Sequence, residues 1–104
     1  MNKIIKYLMY FPRLIISCDI PVRLWYRILT RDIKINHPIG IIIGEGVQIG
    51  KNVTIYQNTT LGRKHEKSTA YPRILDNATI YANCLIIGDV EIEGKVPCGT
   101  IKIS

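Results

Sequence analysis

The strongest constraint on this chain is a six-residue period that runs through most of residues 43–97. Seven complete units each begin with isoleucine, and a smaller residue stands at the fifth place of each unit. The seven isoleucines are Ile43, Ile49, Ile55, Ile74, Ile80, Ile86 and Ile92. A fixed period constrains the fold more than any local pattern, because each unit must be one structural repeat that stacks on its neighbours.

A period of six residues matches a short strand, which forms one flat side of a coil, followed by a bend. An ordinary strand would alternate apolar and polar residues with a period of two. Three such sides close one triangular coil, and successive coils stack through parallel backbone pairing with the isoleucines inside. Asparagine or glycine recurs near the expected bends, where positive φ angles are tolerated. These corner residues are Gly46, Asn52, Asn58, Asn77 and Asn83. The pattern predicts an all-β solenoid, whereas a sandwich of short strands would need seven isoleucines in phase by chance.

The period divides the 104 residues into a helical, basic leader at 1–34 and a β-helix domain at 35–104. The register begins near Ile33 and places Ile35 and Ile41 at fifth places and His37 at a first place. Ile74 comes thirteen positions after Leu61, one more than two units, and most of the residues between them are polar. We therefore expect a loop excursion at 62–73, and such loops commonly carry function.

The leader contains two helical candidates, residues 2–11, which Pro12 limits, and residues 22–30. Arg13 and Asp19 interrupt every window of about 20 residues that a membrane span needs. We interpret the leader as helices that pack on the β-helix. Contact with a membrane surface and a signal peptide remain alternatives.

Charge is concentrated in the leader, where seven basic and two acidic residues give +5 of the net charge of +6. Such a segment suits an anionic membrane surface or a phosphate-bearing ligand. No nucleic-acid-binding module is present, so nucleic acid is not an expected partner. The three cysteines lack metal-ligand spacing, which favours a reduced, cytoplasmic compartment without a metal. By phase, Cys84 and Cys98 are predicted to be buried.

Residues 37–45, His-Pro-Ile-Gly-Ile-Ile-Ile-Gly-Glu, resemble the catalytic stretch of the serine acetyltransferases. Residues 53–62 resemble the next coil of that family, with its Gln and Thr-Leu-Gly, and residues 71–74 stand where the family has His-Pro-Lys-Ile. The resemblance covers about residues 35–93 and extends to related sugar O-acetyltransferases. It implies a left-handed parallel β-helix, acetyl-CoA as acyl donor, and a homotrimer with active sites between protomers.

The resemblance assigns His37 as the general base that takes the proton of an acceptor hydroxyl. A structural polar residue is the other interpretation of His37. Gly62 and Ala82 match positions near the thioester arm of the cofactor. Tyr71 stands where the family has a second histidine that helps bind the amino acid, and His65 lies nearby in the loop. Four further residues are secondary candidates: Asp32 as acidic partner of His37, and Arg63, Lys64 and Arg73 for the phosphates of coenzyme A.

The acceptor is expected to be a small molecule with a hydroxyl group, either serine or a sugar of capsule or lipopolysaccharide synthesis. A truncated, inactive repeat protein with an assembly role is the alternative. Its support is that the resembling family has further coils beyond the position of Ser104. On that basis we expect weak binding of acetyl-CoA, together with poor solubility or assembly through the last coil.

Overall fold

A computed structural model describes residue 10 and residues 12–104. The predicted helix at 2–11 lies outside the described residues except for residue 10. Residues 12–16 are helical, followed by the 3-10 helix Val22–Leu24 and the α-helix Trp25–Leu29. The strands are β1 (Ile33–Lys34), β2 (Ile42–Ile43), β3 (Gln48–Ile49), β4 (Val53–Ile55), β5 (Thr60–Gly62), β6 (Arg73–Ile74), β7 (Thr79–Ile80), β8 (Leu85–Ile87), β9 (Glu91–Ile92), β10 (Lys95–Val96) and β11 (Ile101–Ile103).

The eleven strands form three parallel sheets, the three faces of a left-handed parallel β-helix. Face 1 contains β1, β4, β7 and β10, face 2 contains β2, β5, β8 and β11, and face 3 contains β3, β6 and β9. The chain visits the faces in the order 1, 2, 3 in every coil. The predicted solenoid is confirmed.

The predicted isoleucine ladders form the interior. All seven first-place isoleucines are buried, and the most exposed of them, Ile49, shows 8% of its surface. The expected fifth-place residues are buried as well, except that Val90 is only half-buried. Burying an isoleucine side chain contributes about 1.5–3 kcal/mol, so the stacked ladders are the main source of stability.

The loop excursion adds seven residues to one coil. Thr60 lies opposite Ile42, eighteen residues earlier, as three six-residue units require. Leu85 lies opposite Thr60, twenty-five residues later. The additional residues fall between β5 and β6, in the stretch where the excursion is expected, and its bounds at 62–73 stay a prediction. It replaces one unit by a longer loop.

Two predictions at the ends of the repeat are wrong because the period shifts by two residues there. Ile33 pairs with Val53, twenty residues later, so the first corner holds two extra residues. By continuation Ile35 takes the first place opposite Ile55, and His37 lies exposed in the corner. Near the other end, Val96 pairs with Ile80, sixteen residues earlier. Two residues are missing there, and Cys98 is exposed, whereas Cys84 is buried as predicted.

The leader packs on the first coil, as predicted. Leu14, Ile20, Leu24 and Ile28 are buried in the same core as the isoleucine ladders. Asp19 adds a parallel bridge beside Ile42 in face 2.

Two leader arginines bind carbonyl groups of the first coil. Arg23 donates to the carbonyl oxygens of Glu45 and Val47, and Arg27 donates to those of Ile49 and Gly50. These charged hydrogen bonds cover backbone groups at one end of the stack, which would otherwise present an unpaired edge.

Residues 12–16 are helical as well, a segment that the sequence did not predict as a helix. Within the described range, no helix is both long and apolar enough to cross a membrane. The division at residues 34 and 35 stays a prediction. β1, just before it, already pairs with β4.

Candidate functional site

The predicted site residues lie at the two opposite edges of face 2. One edge is the His37 corner, formed by residues 35–41, 56–59, 81–84 and 97–100, which connect face 1 to face 2. The other is the loop corner, formed by residues 44–47, 63–72 and 88–90, which connect face 2 to face 3. His37 and Ala82 lie in the His37 corner. Gly62 ends β5 beside the loop corner, and His65 and Tyr71 lie within its loop.

His37 stands beside a stack of two tyrosine rings. The centroids of the His37 and Tyr56 rings are 6.4 Å apart with an interplanar angle of 38°. The Tyr56 and Tyr81 rings are stacked, with centroids 5.2 Å apart and an angle of 14°. Sequence reasoning did not single out either tyrosine for the site. The available signal was the recurrence of Ile-Tyr at residues 55–56 and 80–81, because equal places in the repeat stack on each other.

The carboxylate of Asp32 is bound elsewhere. Its Oδ1 accepts the backbone N–H of Asn52 at 3.0 Å, and its Oδ2 accepts from Arg27 Nε at 2.7 Å. The Asn52 N–H and the Arg27 side chain lower the pKa of Asp32 below its ordinary value. Within the described part of the chain, no carboxylate forms a hydrogen bond or ion pair with His37. The expectation that Asp32 orients His37 is therefore not met.

Gly62 and Ala82 occupy ordinary positions in the coil. A Cβ built on Gly62 would meet only Ile87 Cδ1, at 3.7 Å, which is a normal van der Waals distance. Packing therefore does not require glycine there, which leaves close approach of a ligand as a reason for it. Ala82 is half-buried in the His37 corner, and its carbonyl oxygen accepts the backbone N–H of Gly99 at 3.0 Å.

Tyr71 closes the loop over the corner beneath it. A Cβ on Gly44 would lie 2.7 Å from Tyr71 Cε1, and one on Gly46 would lie 2.3 Å from Tyr71 Cδ2. The ring thus occupies the space that these two glycines leave open. His65 is exposed in the same loop, and its carbonyl oxygen accepts the N–H of Ser68. Because it lies in the loop corner, the structure does not bring it together with His37 in one chain.

Known proteins similar to this chain are serine acetyltransferases. The chain is 47% identical over 70 residues to the serine acetyltransferase of Staphylococcus epidermidis, a match that covers 66% of this chain and 33% of that protein. It is 41% identical over 76 residues to the Staphylococcus xylosus enzyme, covering 72% of this chain and 35% of that protein. For a Staphylococcus aureus enzyme the identity is 42% over 70 residues. The hexapeptide-repeat segment of this chain is serine acetyltransferase-like. No family model matches it.

The aligned segment of this serine acetyltransferase-like chain spans about one third of the length of the curated relatives it matches. The candidate phosphate-binding cations of this segment differ in their surroundings. Arg63 and Lys64 are exposed, and in the described part of the chain neither has a side-chain hydrogen bond or ion pair. Arg73 pairs with Asp89 at 2.7 Å and approaches Glu91 at 4.0 Å, so its charge is already balanced. Arg63 and Lys64 are therefore the better candidates for a phosphate.

The serine acetyltransferase-like repeat also contains a buried amide oxygen on Gln57, a residue that the sequence analysis cited for the resemblance but did not assign to the site. Gln57 Oε1 is shielded from solvent and has no hydrogen-bond partner among the described residues. Leaving such an acceptor unpaired costs about 1–3 kcal/mol. Gln57 follows Tyr56 in the His37 corner, so this corner holds an unused polar group beside the candidate base. Across the described residues, no cluster of His, Cys, Asp and Glu is suited to hold a metal ion.

Proposed function

We propose that this chain is an acetyl-CoA-dependent O-acetyltransferase of the serine acetyltransferase type, with His37 as the general base. The observation that carries the proposal is the exposed His37 in a chain that is 47% identical over 70 residues to a protein named serine acetyltransferase. An exposed imidazole is accessible to a substrate, and histidine is the side chain that most often serves as a general base.

The proposed reaction needs one base. The imidazole of His37 takes the proton of the acceptor hydroxyl while the hydroxyl oxygen attacks the thioester carbonyl of acetyl-CoA. The tetrahedral intermediate then collapses, the carbon–sulfur bond breaks, and the imidazolium returns its proton to the leaving thiolate. Holding the two substrates in line removes much of the barrier, so a single positioned base suffices.

The placement of site residues at opposite edges of face 2 supports a homotrimer as the active form. We infer that His37 and Ala82 of one protomer face Gly62 and the loop of the next, so that acetyl-CoA lies in the groove between two chains. Arg63 and Lys64 would then lie beside the phosphates of coenzyme A. In a cyclic trimer each chain contributes both edges, and three equal sites result.

Two acceptors are consistent with this site. The names of the relatives favour serine. The packing of Tyr71 over Gly44 and Gly46 favours the second candidate, a sugar hydroxyl of the kind acetylated in capsule or lipopolysaccharide synthesis. The reason is that the ring fills the corner where the resembling enzymes have a histidine that helps bind the amino acid.

The test is a measurement of coenzyme A release from acetyl-CoA with serine and with a panel of nucleotide sugars. Turnover with one acceptor that is lost in His37→Ala supports the proposal and identifies the substrate. Absence of turnover with every acceptor, in a chain that is folded by circular dichroism, contradicts it. The alternative of an inactive repeat protein with an assembly role would then hold.

We propose a cytoplasmic location with peripheral contact to an anionic membrane through the leader. Val22, Tyr26 and Leu29 follow one helical stripe and are all more than half exposed. Arg31 is exposed two residues after Leu29, and in the described part of the chain no acid forms an ion pair with it. Apolar side chains flanked by basic ones bind anionic lipid surfaces.

The membrane proposal is tested by co-sedimentation with phosphatidylglycerol vesicles. We expect Val22→Ser with Leu29→Ser to abolish the binding of the wild-type chain, whereas Ile42→Ser, an exposed isoleucine of face 2, leaves it unchanged. Equal binding by all three chains contradicts a contact through the leader.

A further inference from the structure

The imidazole of His37 is not held by Asp32, and its neighbour is an aromatic ring. In the described part of the chain the side chain of His37 has one ring neighbour, Tyr56, at 6.4 Å between centroids. This separation lies within the 4.5–7 Å range in which aromatic pairs attract each other. An exposed imidazole without such a neighbour would sample several rotamers, which weakens it as a base.

Tyr56 is itself held in position. Its ring stacks on that of Tyr81 at 5.2 Å, so it is supported on the side of the next coil. Its backbone N–H donates to Ile80 O at 2.9 Å, and that of Tyr81 donates to Val96 O at 3.0 Å. Both rings therefore project from backbone that the stacked coils fix.

Within the His37 corner, the three turns that carry these rings are joined by backbone hydrogen bonds. Asn58 N–H donates to Ile39 O at 2.9 Å, and Asn83 N–H donates to Gln57 O at 3.1 Å. Asn58 and Asn83 adopt positive φ angles of 57° and 63°, as a tight corner requires. These hydrogen bonds fix the turn that carries His37 relative to the turn of the next coil, which carries Tyr56.

From this geometry we propose that Tyr56, supported by Tyr81, is a positioning residue that orients the His37 imidazole through ring contact, in place of the usual carboxylate. The proposal rests on the proposed function, in which His37 is the base. In this proposal the aromatic ring of Tyr56 orients the imidazole, and its phenolic hydroxyl has no role.

The test uses the fact that the chain contains two histidines, His37 and the exposed His65. The ring protons of both are observed by NMR, and the turnover number for acetyl transfer is measured in parallel. In Tyr56→Ala we expect the His37 ring-proton shift to lose its ring-current contribution and approach that of His65. The His65 signal should stay constant. We expect the turnover number to fall roughly 10- to 100-fold, because a misplaced base costs about that much.

Two variants separate positioning from other effects. Tyr56→Phe keeps the ring and should retain both the His37 shift and the turnover number. Glu93→Ala removes an exposed side chain between β9 and β10, outside both edges of face 2, and should change neither. An unchanged His37 shift in Tyr56→Ala overturns the proposal. So does a loss of turnover in Tyr56→Phe with the His37 shift intact, since the hydroxyl would then act directly. If the wild-type chain shows no turnover, the proposed function fails, while the NMR shifts still report on the ring contact.

Discussion

The two edges of face 2 are built on different principles. The His37 corner recurs in successive coils and is held by backbone hydrogen bonds that repeat from one coil to the next. The loop corner contains a seven-residue insertion, and one side chain, Tyr71, holds the loop against the corner. The comparison shows how a solenoid can hold the proposed base, His37, on rigid repeated corners and place an adaptable loop at the opposite edge of the same face. In the proposed homotrimer, a complete site forms where the edges of two copies meet.

The largest difference between the edges should appear in catalysis. We expect His37→Ala to lower the turnover number by about 10²–10⁴, because that is the usual contribution of a general base. His65→Ala removes the histidine at the loop corner and should retain most of the activity. Acetyl-CoA turnover of both variants checks this. Loss of activity in His65→Ala with activity kept in His37→Ala would assign the base to the loop corner.

The rigidity of the His37 corner should depend on the isoleucine beneath it. Ile80 is fully buried directly before Tyr81, so Ile80→Ala should lower the free energy of unfolding by about 2–5 kcal/mol. Ile42 is 46% exposed, so Ile42→Ala serves as the matched control and should lower the free energy of unfolding far less. Urea unfolding at one fixed chain concentration measures both. Equal decreases in the free energy of unfolding for the two variants would show that the buried isoleucine ladder is not the main source of stability.

The loop corner should be sensitive to a single methyl group. Gly46→Ala places a Cβ 2.3 Å from the Tyr71 ring, so the ring must move, at a cost of about 1–3 kcal/mol. Gly62→Ala adds the same methyl group without a clash and should be nearly neutral. Urea unfolding gives the free energies, and trypsin cleavage after Arg63 and Lys64 reports release of the loop.

A double-mutant cycle identifies the clash partner in the loop corner. If the ring of Tyr71 is the obstacle, Gly46→Ala should cost little in a Tyr71→Ala background. An undiminished cost there would show that Tyr71 does not hold the loop in place.

The smallest effect concerns Asp32, which joins the leader to the corner at Asn52. Because its pKa is lower in the folded chain than in the unfolded one, its contribution to stability is fully present above the ordinary value of 3.8 and is lost as the pH falls through the folded-state pKa. Asp32→Asn should therefore flatten the dependence of stability on pH in the acid range. Melting temperatures measured from about pH 2 to about pH 7, the range in which carboxylates titrate, check this. The same acid dependence in the variant would assign it to other carboxylates.

The sequence was sufficient for the interior of the fold, and less so for the corners. Ile49 and Ile80 were predictable because a six-residue period admits one inward phase. The positions of His37 and Cys98 were not, because two residues are gained near one end of the repeat and two are lost near the other. The contact of Tyr71 with Gly44 and Gly46 depends on how the loop folds back. No local pattern encodes that path.

The site was predictable in part. The string from His37 to Glu45 predicts His37 as the base, and this role stays a proposal. The prediction for Asp32 failed because its partners, Arg27 and Asn52, are set by the packing of the leader. The roles of Gly62, Ala82, Tyr71 and His65 stay predictions.

The central claim is that two chains complete each site, and subunit mixing tests it directly. His37→Ala and Gly62→Leu should each be inactive alone, since one removes the base and the other fills the space proposed for the thioester arm. The two variants are unfolded, mixed in equal amounts and refolded, and native mass spectrometry confirms mixed trimers. If each site takes His37 from one chain and Gly62 from the next, random mixing restores intact sites at about one quarter of the wild-type number. Activity near that level is the predicted result, and mixed trimers without activity would contradict a site shared between chains.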